Sequence, residues 1–162
     1  MSRAAEITDV PLVVTEQVLF GATVSEIDIN KAALVKPKTK FSMLIPEVDA
    51  FLKERKTESI VIYGIESHVC VLQTVLELLD NKYNVHVLAD GVSSINYPEI
   101  DIALNRMRQA GAAITTSESI LFQLAGDSKH PHFKALSGLV KEWQPIDRQN
   151  PLLFRNLRES NI

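Results

Sequence analysis

The apolar residues of this 162-residue chain fall into short unbroken runs rather than alternating with polar residues. Runs of this kind are typical of strands in a parallel sheet whose two faces are both covered by helices. The clearest examples span residues 59–64 and 85–90, and shorter runs span residues 11–15 and 112–116. The pattern therefore predicts parallel strands at these four positions.

Between these runs, apolar residues recur at three- and four-residue spacing, which is typical of amphipathic helices. Gly111 follows one such segment and is predicted to cap its carboxyl end. Strands that alternate with helices indicate an α/β fold with three layers, α/β/α, around a mostly parallel, doubly wound (Rossmann-like) sheet. The predicted helices span residues 46–56, 70–80, 98–109, 117–124 and 133–143.

Composition narrows the class of protein. With 46% hydrophobic and 23% charged residues, the chain is expected to form one soluble domain over residues 1–143, followed by an apolar tail at 144–162. The tail is predicted either to dock on the domain or a partner subunit, or to be a partly disordered terminus. No apolar run approaches the roughly 20 residues of a membrane span, and no signal peptide is recognisable, so a cytoplasmic location is expected. The net charge of −3 gives no general attraction to nucleic acid or anionic lipid.

Cys70 is the single cysteine, which excludes an internal disulfide and a multi-cysteine zinc site. It follows the strand predicted at 59–64 and opens the next helix. Ligands of open α/β sheets bind beyond the carboxyl ends of the strands, and the first turn of a helix favours a thiolate. From position alone, a reactive thiol and a small buried cysteine are equally good interpretations.

Other polar residues carry weaker signals. Taken alone, the lysine-rich run at residues 36–42 is best explained as a solvated loop. His68 lies two positions from Cys70, so the two side chains point to different faces of a helix and a direct pair is not expected.

His130 and His132 flank a proline with no acidic cluster nearby and are interpreted as part of a structural loop. Asp90 is predicted to be a turn or capping carboxylate, and its position at the carboxyl edge of the sheet leaves a minor binding role open. No nucleotide-binding glycine motif occurs, and no cofactor is predicted.

Taken together, these segments resemble the isochorismatase-like hydrolase family, in particular the eukaryotic isochorismatase domain-containing proteins. The similarity is nearly continuous from about residue 10 to residue 143, and the order and spacing of its motifs are specific. The motifs are PLVVTEQ (11–17), PKTKFSM (37–43), GIESHVC (64–70), DGVSS (90–94), RMR (106–108), TTSE (115–118) and HPHFK (130–134).

The resemblance implies a site and a reaction. Cys70 takes the place of the family's nucleophile and Lys38 that of its lysine. The Ile65–Glu66 peptide bond is expected to be cis, with the backbone N–H groups of Glu66 and Cys70 forming an oxyanion hole. The implied reaction is hydrolysis of a small amide-like substrate through a thioester. The resemblance also implies a homo-oligomer. The family's metal-binding Asp-x-His-x-His cluster is not found, so no metal is predicted.

One expected feature of the family is not found in this sequence. The family begins with a central strand that ends in a catalytic aspartate, whereas this chain begins at what is predicted to be the last turn of the following helix. Asp9 precedes a strand and is no substitute. Three explanations are considered: a truncated product, a longer chain whose first residues are not part of this sequence, and a subunit completed by a partner strand. The alternative function is therefore a catalytically impaired or non-catalytic homologue that acts through oligomerisation or partner binding.

Overall fold

The computed structural model describes residues 1–150 and residue 152. Within that part of the chain, no helix is both long enough and apolar enough to cross a membrane. The helices are α1 Ser2–Thr8, α2 Pro46–Glu54, α3 Leu72–Asp80, α4 Glu99–Ala110, α5 Ser117–Ala125 and α6 Phe133–Asp147, and a π-helical segment, Ser67–Val71, precedes α3. The strands are β1 Val13–Gln17, β2 Leu34–Lys38, β3 Ser59–Ile65, β4 Asn84–Ser93 and β5 Ala113–Thr115.

All strand pairs are parallel, and they form two sheets. The first sheet has the order β1-β2 and the second has the order β3-β4-β5. This arrangement confirms the parallel α/β fold class. Among the described residues, β1 and β3 therefore each have a strand partner on one side.

Strand β2 was not predicted, because its sequence, LVKPK, mixes charges and a proline into a short apolar run. Pro37 lies opposite Glu16 of β1, and β2 is an edge strand, the position where a proline is tolerated. The last pair of this register brings Lys38 opposite Gln17. The lysine-rich run is thus partly a strand rather than the solvated loop that the residues alone suggested.

The core covers both faces of the second sheet. Val87 and Leu88 are neighbours on β4, so their side chains point to opposite faces, and both are 0% exposed. One hydrophobic cluster joins the strands to α2, α3 and α4. A second cluster is formed by α1, α5 and α6, with Leu136 completely buried at its centre. Helices thus lie on both sides of the strands, as a three-layer fold requires.

The ends of the helices agree with the sequence pattern in most places. Gly111 caps α4 with a φ of 111°, as predicted, which is a conformation that favours glycine. The helix expected from residue 70 instead starts as the π-helical segment Ser67–Val71. Helix α6 continues past residue 143 to Asp147 and so includes the first residues of the predicted tail. The tail's residues 151 and 153–162 lie outside the described residues.

Candidate active site

Lys38 and Cys70 meet at the carboxyl edge of the strands. Lys38 is the last residue of β2 and is only 6% exposed, although lysine is among the residues least often buried. Cys70 lies in the π-helical segment that follows β3, and its side chain is partly accessible. The distance from Lys38 Nζ to Cys70 Sγ is 3.9 Å. Two residues 32 positions apart in sequence are therefore brought into contact.

The ammonium group of Lys38 is surrounded by oxygen atoms. Nζ donates to Gln17 Oε1 at 2.7 Å, to the carbonyl oxygen of Lys40 at 2.9 Å and to that of Phe41 at 2.8 Å. Burial lowers the pKa of Lys38 from its usual value, while the charge of Cys70 and its hydrogen bond act in the opposite direction. The three oxygens stabilise the charged amine at a position where water has been largely excluded.

Thr74 connects the Cys70 backbone to the loop that follows Lys38. Its Oγ1 donates to the carbonyl oxygen of Cys70 at 2.6 Å and accepts from the N–H of Met43 at 2.9 Å. Thr74 is 1% exposed, so neither bond competes with water. These two bonds connect α3 to the segment after β2 and fix the thiol relative to Lys38.

The backbone on the other side of the thiol turns at the end of β3. The Ile65–Glu66 peptide bond is cis. The carbonyl oxygen of Glu66 accepts from the N–H groups of Val69 and Val71, and its Oε2 accepts from the N–H of Ile95 at 2.9 Å. These bonds fix the segment on which the predicted oxyanion hole lies.

His68 has a partner other than Cys70. Its Nδ1 lies 2.9 Å from Ser94 Oγ, and the same hydroxyl accepts from the N–H of Ser67 at 3.0 Å. Ser94 follows β4, so these bonds join the carboxyl ends of β3 and β4. Beyond its place in a motif of the resembled family, Ser94 carried no signal in the sequence.

Asp90, a residue of β4, adds its carboxylate at the amino end of helix α5, in the capping role that was predicted, beside the N-cap residue Thr116. Its carboxylate accepts from the Ser117 N–H at 2.9 and 3.0 Å and also from the Ser117 hydroxyl. His132 donates its backbone N–H to His130 Nδ1, a local loop contact. Over residues 1–150 and 152, no three His, Cys, Asp or Glu side chains come together in a way that holds a metal ion.

The parallel α/β core, with polar residues gathered at the carboxyl ends of its strands, has the fold of the isochorismatase-like proteins. Residues 3–119 match the sequence profile of the isochorismatase domain family, described as "Isochorismatase domain". The chain therefore belongs to this family.

Individual relatives agree with this assignment. The chain is 45% identical over 146 residues to isochorismatase domain-containing protein 1 of Salmo salar, covering 88% of this chain and 52% of that protein. It is 50% identical over 150 residues to the secreted isochorismatase effector Isc1 of Phytophthora sojae, covering 88% and 71%. The solved structure of a protein named MAR1 ribonuclease, from Caenorhabditis elegans, has a TM-score of 0.79 and 43% identity, covering 85% and 72%. The chain thus spans about half the length of the first of these relatives.

Proposed function

We propose that this protein is a cysteine hydrolase of small amide-like substrates, with Cys70 as its nucleophile. The observation that carries the proposal is the contact between Cys70 Sγ and the buried ammonium of Lys38, at 3.9 Å. A cation at this distance favours the thiolate, which is the nucleophilic form of cysteine. The lysine is buried at an energetic cost, which is offset by three oxygen partners. A purely structural cysteine requires no such partner.

In the proposed reaction, the Cys70 thiolate attacks the carbonyl carbon of the amide and forms a C–S bond. The backbone N–H groups of Glu66 and Cys70 stabilise the resulting oxyanion. The C–N bond then breaks, and the leaving nitrogen takes a proton from the Lys38 ammonium. Water attacks the thioester and gives a proton to the Lys38 amine, the C–S bond breaks, and the thiolate and ammonium are restored. The lowered pKa of Lys38 suits it to exchange a proton in this way.

The test is a panel of small carboxamides, assayed with the wild type, Cys70→Ala and the control Ser128→Ala. Ser128 is exposed and lies in the loop before α6, far along the chain from the site. Hydrolysis of at least one amide is expected, with a loss of more than about 100-fold in Cys70→Ala and no loss in Ser128→Ala. Full activity in Cys70→Ala, or no hydrolysis of any amide by the wild type, contradicts the proposal.

A second candidate is a ribonuclease, suggested by the name of the similar protein from Caenorhabditis elegans. The lysine-rich run gives it little support, because Lys38 is buried and Lys40 is paired with Glu77 at 2.6 Å. The same assay with an RNA substrate separates the two functions. RNA cleavage that Cys70→Ala leaves intact favours the ribonuclease, whereas amide hydrolysis lost in Cys70→Ala favours the cysteine hydrolase.

We also infer that the protein works as a homo-oligomer. Its exposed apolar side chains support this assembly: Leu19 is 83% exposed, Phe20 76% and Ile95 94%. Light scattering coupled to size-exclusion chromatography tests the assembly, and a mass equal to one chain at micromolar concentration contradicts it.

We further infer a location in the cytoplasm. The chain has a single cysteine and therefore no internal disulfide to form, which suits a reducing compartment.

A further inference from the structure

Gln17 is a polar residue at the carboxyl end of β1, and its amide is fixed at both ends. Its Oε1 accepts from Lys38 Nζ at 2.7 Å, and its Nε2 donates to the carbonyl oxygen of Thr39 at 2.8 Å. The strand register places Gln17 directly opposite Lys38. The bond to Thr39 orients the amide, so its oxygen rather than its nitrogen points to the ammonium.

Among the described residues, three oxygens accept from Lys38 Nζ, and that of Gln17 is the one that belongs to a side chain. The other two are the backbone carbonyl oxygens of Lys40 and Phe41. A protonated lysine has three N–H donors, so the three oxygens and the more distant sulfur of Cys70, at 3.9 Å, share them. Because all three acceptors are uncharged, they stabilise the ammonium without cancelling its charge, which remains available to the sulfur of Cys70.

We propose that Gln17 is a positioning residue that holds the charged form of Lys38 beside the Cys70 thiolate. The inference rests on the proposed role of Cys70 as nucleophile. Without the oxygen of Gln17, the buried amine has fewer partners for its proton. The neutral amine is then favoured, and the positive charge beside the sulfur is lost more readily.

Other titratable groups lie on the elements that carry Lys38 and Cys70, and each has a hydrogen-bond or ion-pair partner of its own. Glu66 and His68 lie on the segment after β3 and bond to Ile95 and Ser94, respectively. From the loop after β2 and from α3 come Lys40 and Glu77, which form an ion pair. On β1, Glu16 accepts from the N–H of Thr23. All of these groups remain in the variants Gln17→Met and Lys38→Met, so their influence is common to every comparison below.

The test is a double-mutant cycle read by alkylation of Cys70. Since the chain has one cysteine, the rate of reaction with iodoacetamide as a function of pH reports this thiol alone and requires no substrate turnover. The proteins compared are the wild type, Gln17→Met, Lys38→Met and the double variant. Glu16→Gln, on the neighbouring residue of β1, is the control.

We expect Gln17→Met to raise the midpoint pH of alkylation by about 0.5 to 1 unit when Lys38 is present, and to have no effect in the Lys38→Met background. The control Glu16→Gln leaves the midpoint unchanged. No shift, a downward shift, or an equal shift in both backgrounds overturns the proposal, because a purely structural role acts equally with and without Lys38. If Gln17→Met does not fold, Gln17→Asn, which withdraws the amide by one methylene, is used with the same expectation.

This outcome is separable from that of the proposed function. Loss of amide hydrolysis in Cys70→Ala concerns the nucleophile, whereas the alkylation cycle concerns the environment of the thiol. A midpoint shift that depends on Lys38, in a protein that hydrolyses no amide, supports the role of Gln17 and contradicts only the hydrolase.

Discussion

A single buried cation controls the chemistry expected at Cys70. Lys38 Nζ and Cys70 Sγ are 3.9 Å apart, and the lysine is 6% exposed, so the interaction is only weakly screened by water. An opposite charge this close favours the charged form of a thiol. The reactivity of the thiol is therefore expected to depend on the lysine.

The first prediction concerns Lys38→Met, which keeps an unbranched side chain and removes the charge. Cys70 alkylation at neutral pH is expected to slow by about 10-fold or more, and its midpoint pH to rise relative to the wild type, because the thiolate loses its neighbouring cation. The measurement is the rate of iodoacetamide labelling across the pH range in which the thiol titrates. An unchanged midpoint means that the lysine does not stabilise the thiolate.

The second prediction concerns Thr74→Val. Valine preserves the shape of threonine but removes both of its hydrogen bonds, leaving the Met43 N–H and one acceptor site on the Cys70 carbonyl without their partner. A loss of about 1 to 3 kcal/mol in unfolding free energy is expected from urea denaturation. The control Thr15→Val, on the half-buried strand β1, is expected to stay within about 0.5 kcal/mol. Equal effects of the two substitutions contradict the structural role of Thr74.

At this scale, the sequence pattern made Cys70 a candidate without distinguishing a reactive thiol from a structural one, and it did not indicate the partners of Cys70. The lysine-rich run resembles a solvated loop because lysine is usually exposed, and only the family resemblance singled out Lys38. Beyond its place in the motif PLVVTEQ, Gln17 carried no signal, because a glutamine after an apolar run is equally typical of a strand that simply ends. Burial and hydrogen bonding of a polar residue depend on contacts between distant segments, which one local pattern does not contain.

At the scale of elements, the loop after β2 is connected to helix α3 by an ion pair. Lys40 and Glu77 lie 2.6 Å apart, with side chains 48% and 33% exposed. Burial acts to raise the pKa of Glu77, but hydrogen bonds from Lys40 and Ser42, together with the charge of Lys40, lower it overall from the usual value of 4.5. A lowered folded-state pKa means that the pair stabilises the protein above the unfolded-state value and that the contribution disappears as pH falls through the folded-state value.

The third prediction follows from this sign. Lys40→Met is expected to cost about 0.3 to 1 kcal/mol of unfolding free energy at neutral pH through the ion pair, the range of a surface pair, in addition to its hydrogen bond to the carbonyl oxygen of Leu44 at 3.1 Å. The cost is expected to be smaller at about pH 3, where Glu77 is protonated and only the bond to Leu44 remains. Urea unfolding at the two pH values measures the difference. An equal cost at the two pH values shows that the charge of Glu77 does not contribute.

The elements themselves were largely predictable, with two exceptions. Unbroken apolar runs marked β1, β3, β4 and β5, and three- and four-residue spacing marked α2 to α6, because both periods follow directly from backbone geometry. Strand β2 was missed because Pro37 and two lysines interrupt a short edge strand. The π-helical segment was missed because its apolar spacing is indistinguishable from the start of an α-helix.

At the scale of the whole molecule, the candidate site lies at the carboxyl ends of strands from both sheets, and helices cover both faces of the strands. Lys38 and Gln17 come from the first sheet, and Cys70 follows the second. The distance between Lys38 and Cys70 thus depends on how the two sheets are held together. The shared hydrophobic cluster, with contributions from α2, α3 and β4 and with Val13 and Leu34 packed against it, supplies that support.

The fourth prediction tests the layer formed by α1, α5 and α6. Leu136→Ala is expected to cost about 2 to 5 kcal/mol of unfolding free energy, because the side chain is 0% exposed and its removal leaves a cavity. Leu124→Ala, at a site that is 43% exposed on α5, is the control and is expected to cost much less. Similar losses in both variants indicate that this layer is not packed as described.

The central claim, that Cys70 is the nucleophile of a hydrolase, is tested most directly by trapping its covalent intermediate. The protein is mixed with an activated acetyl ester, quenched in acid at early times, and analysed by peptide mass mapping. We predict a single acetyl group on the peptide that contains Cys70, which disappears as the thioester is hydrolysed and does not form on that peptide in Cys70→Ala. No adduct in the wild type, or an adduct confined to lysine side chains, contradicts the account.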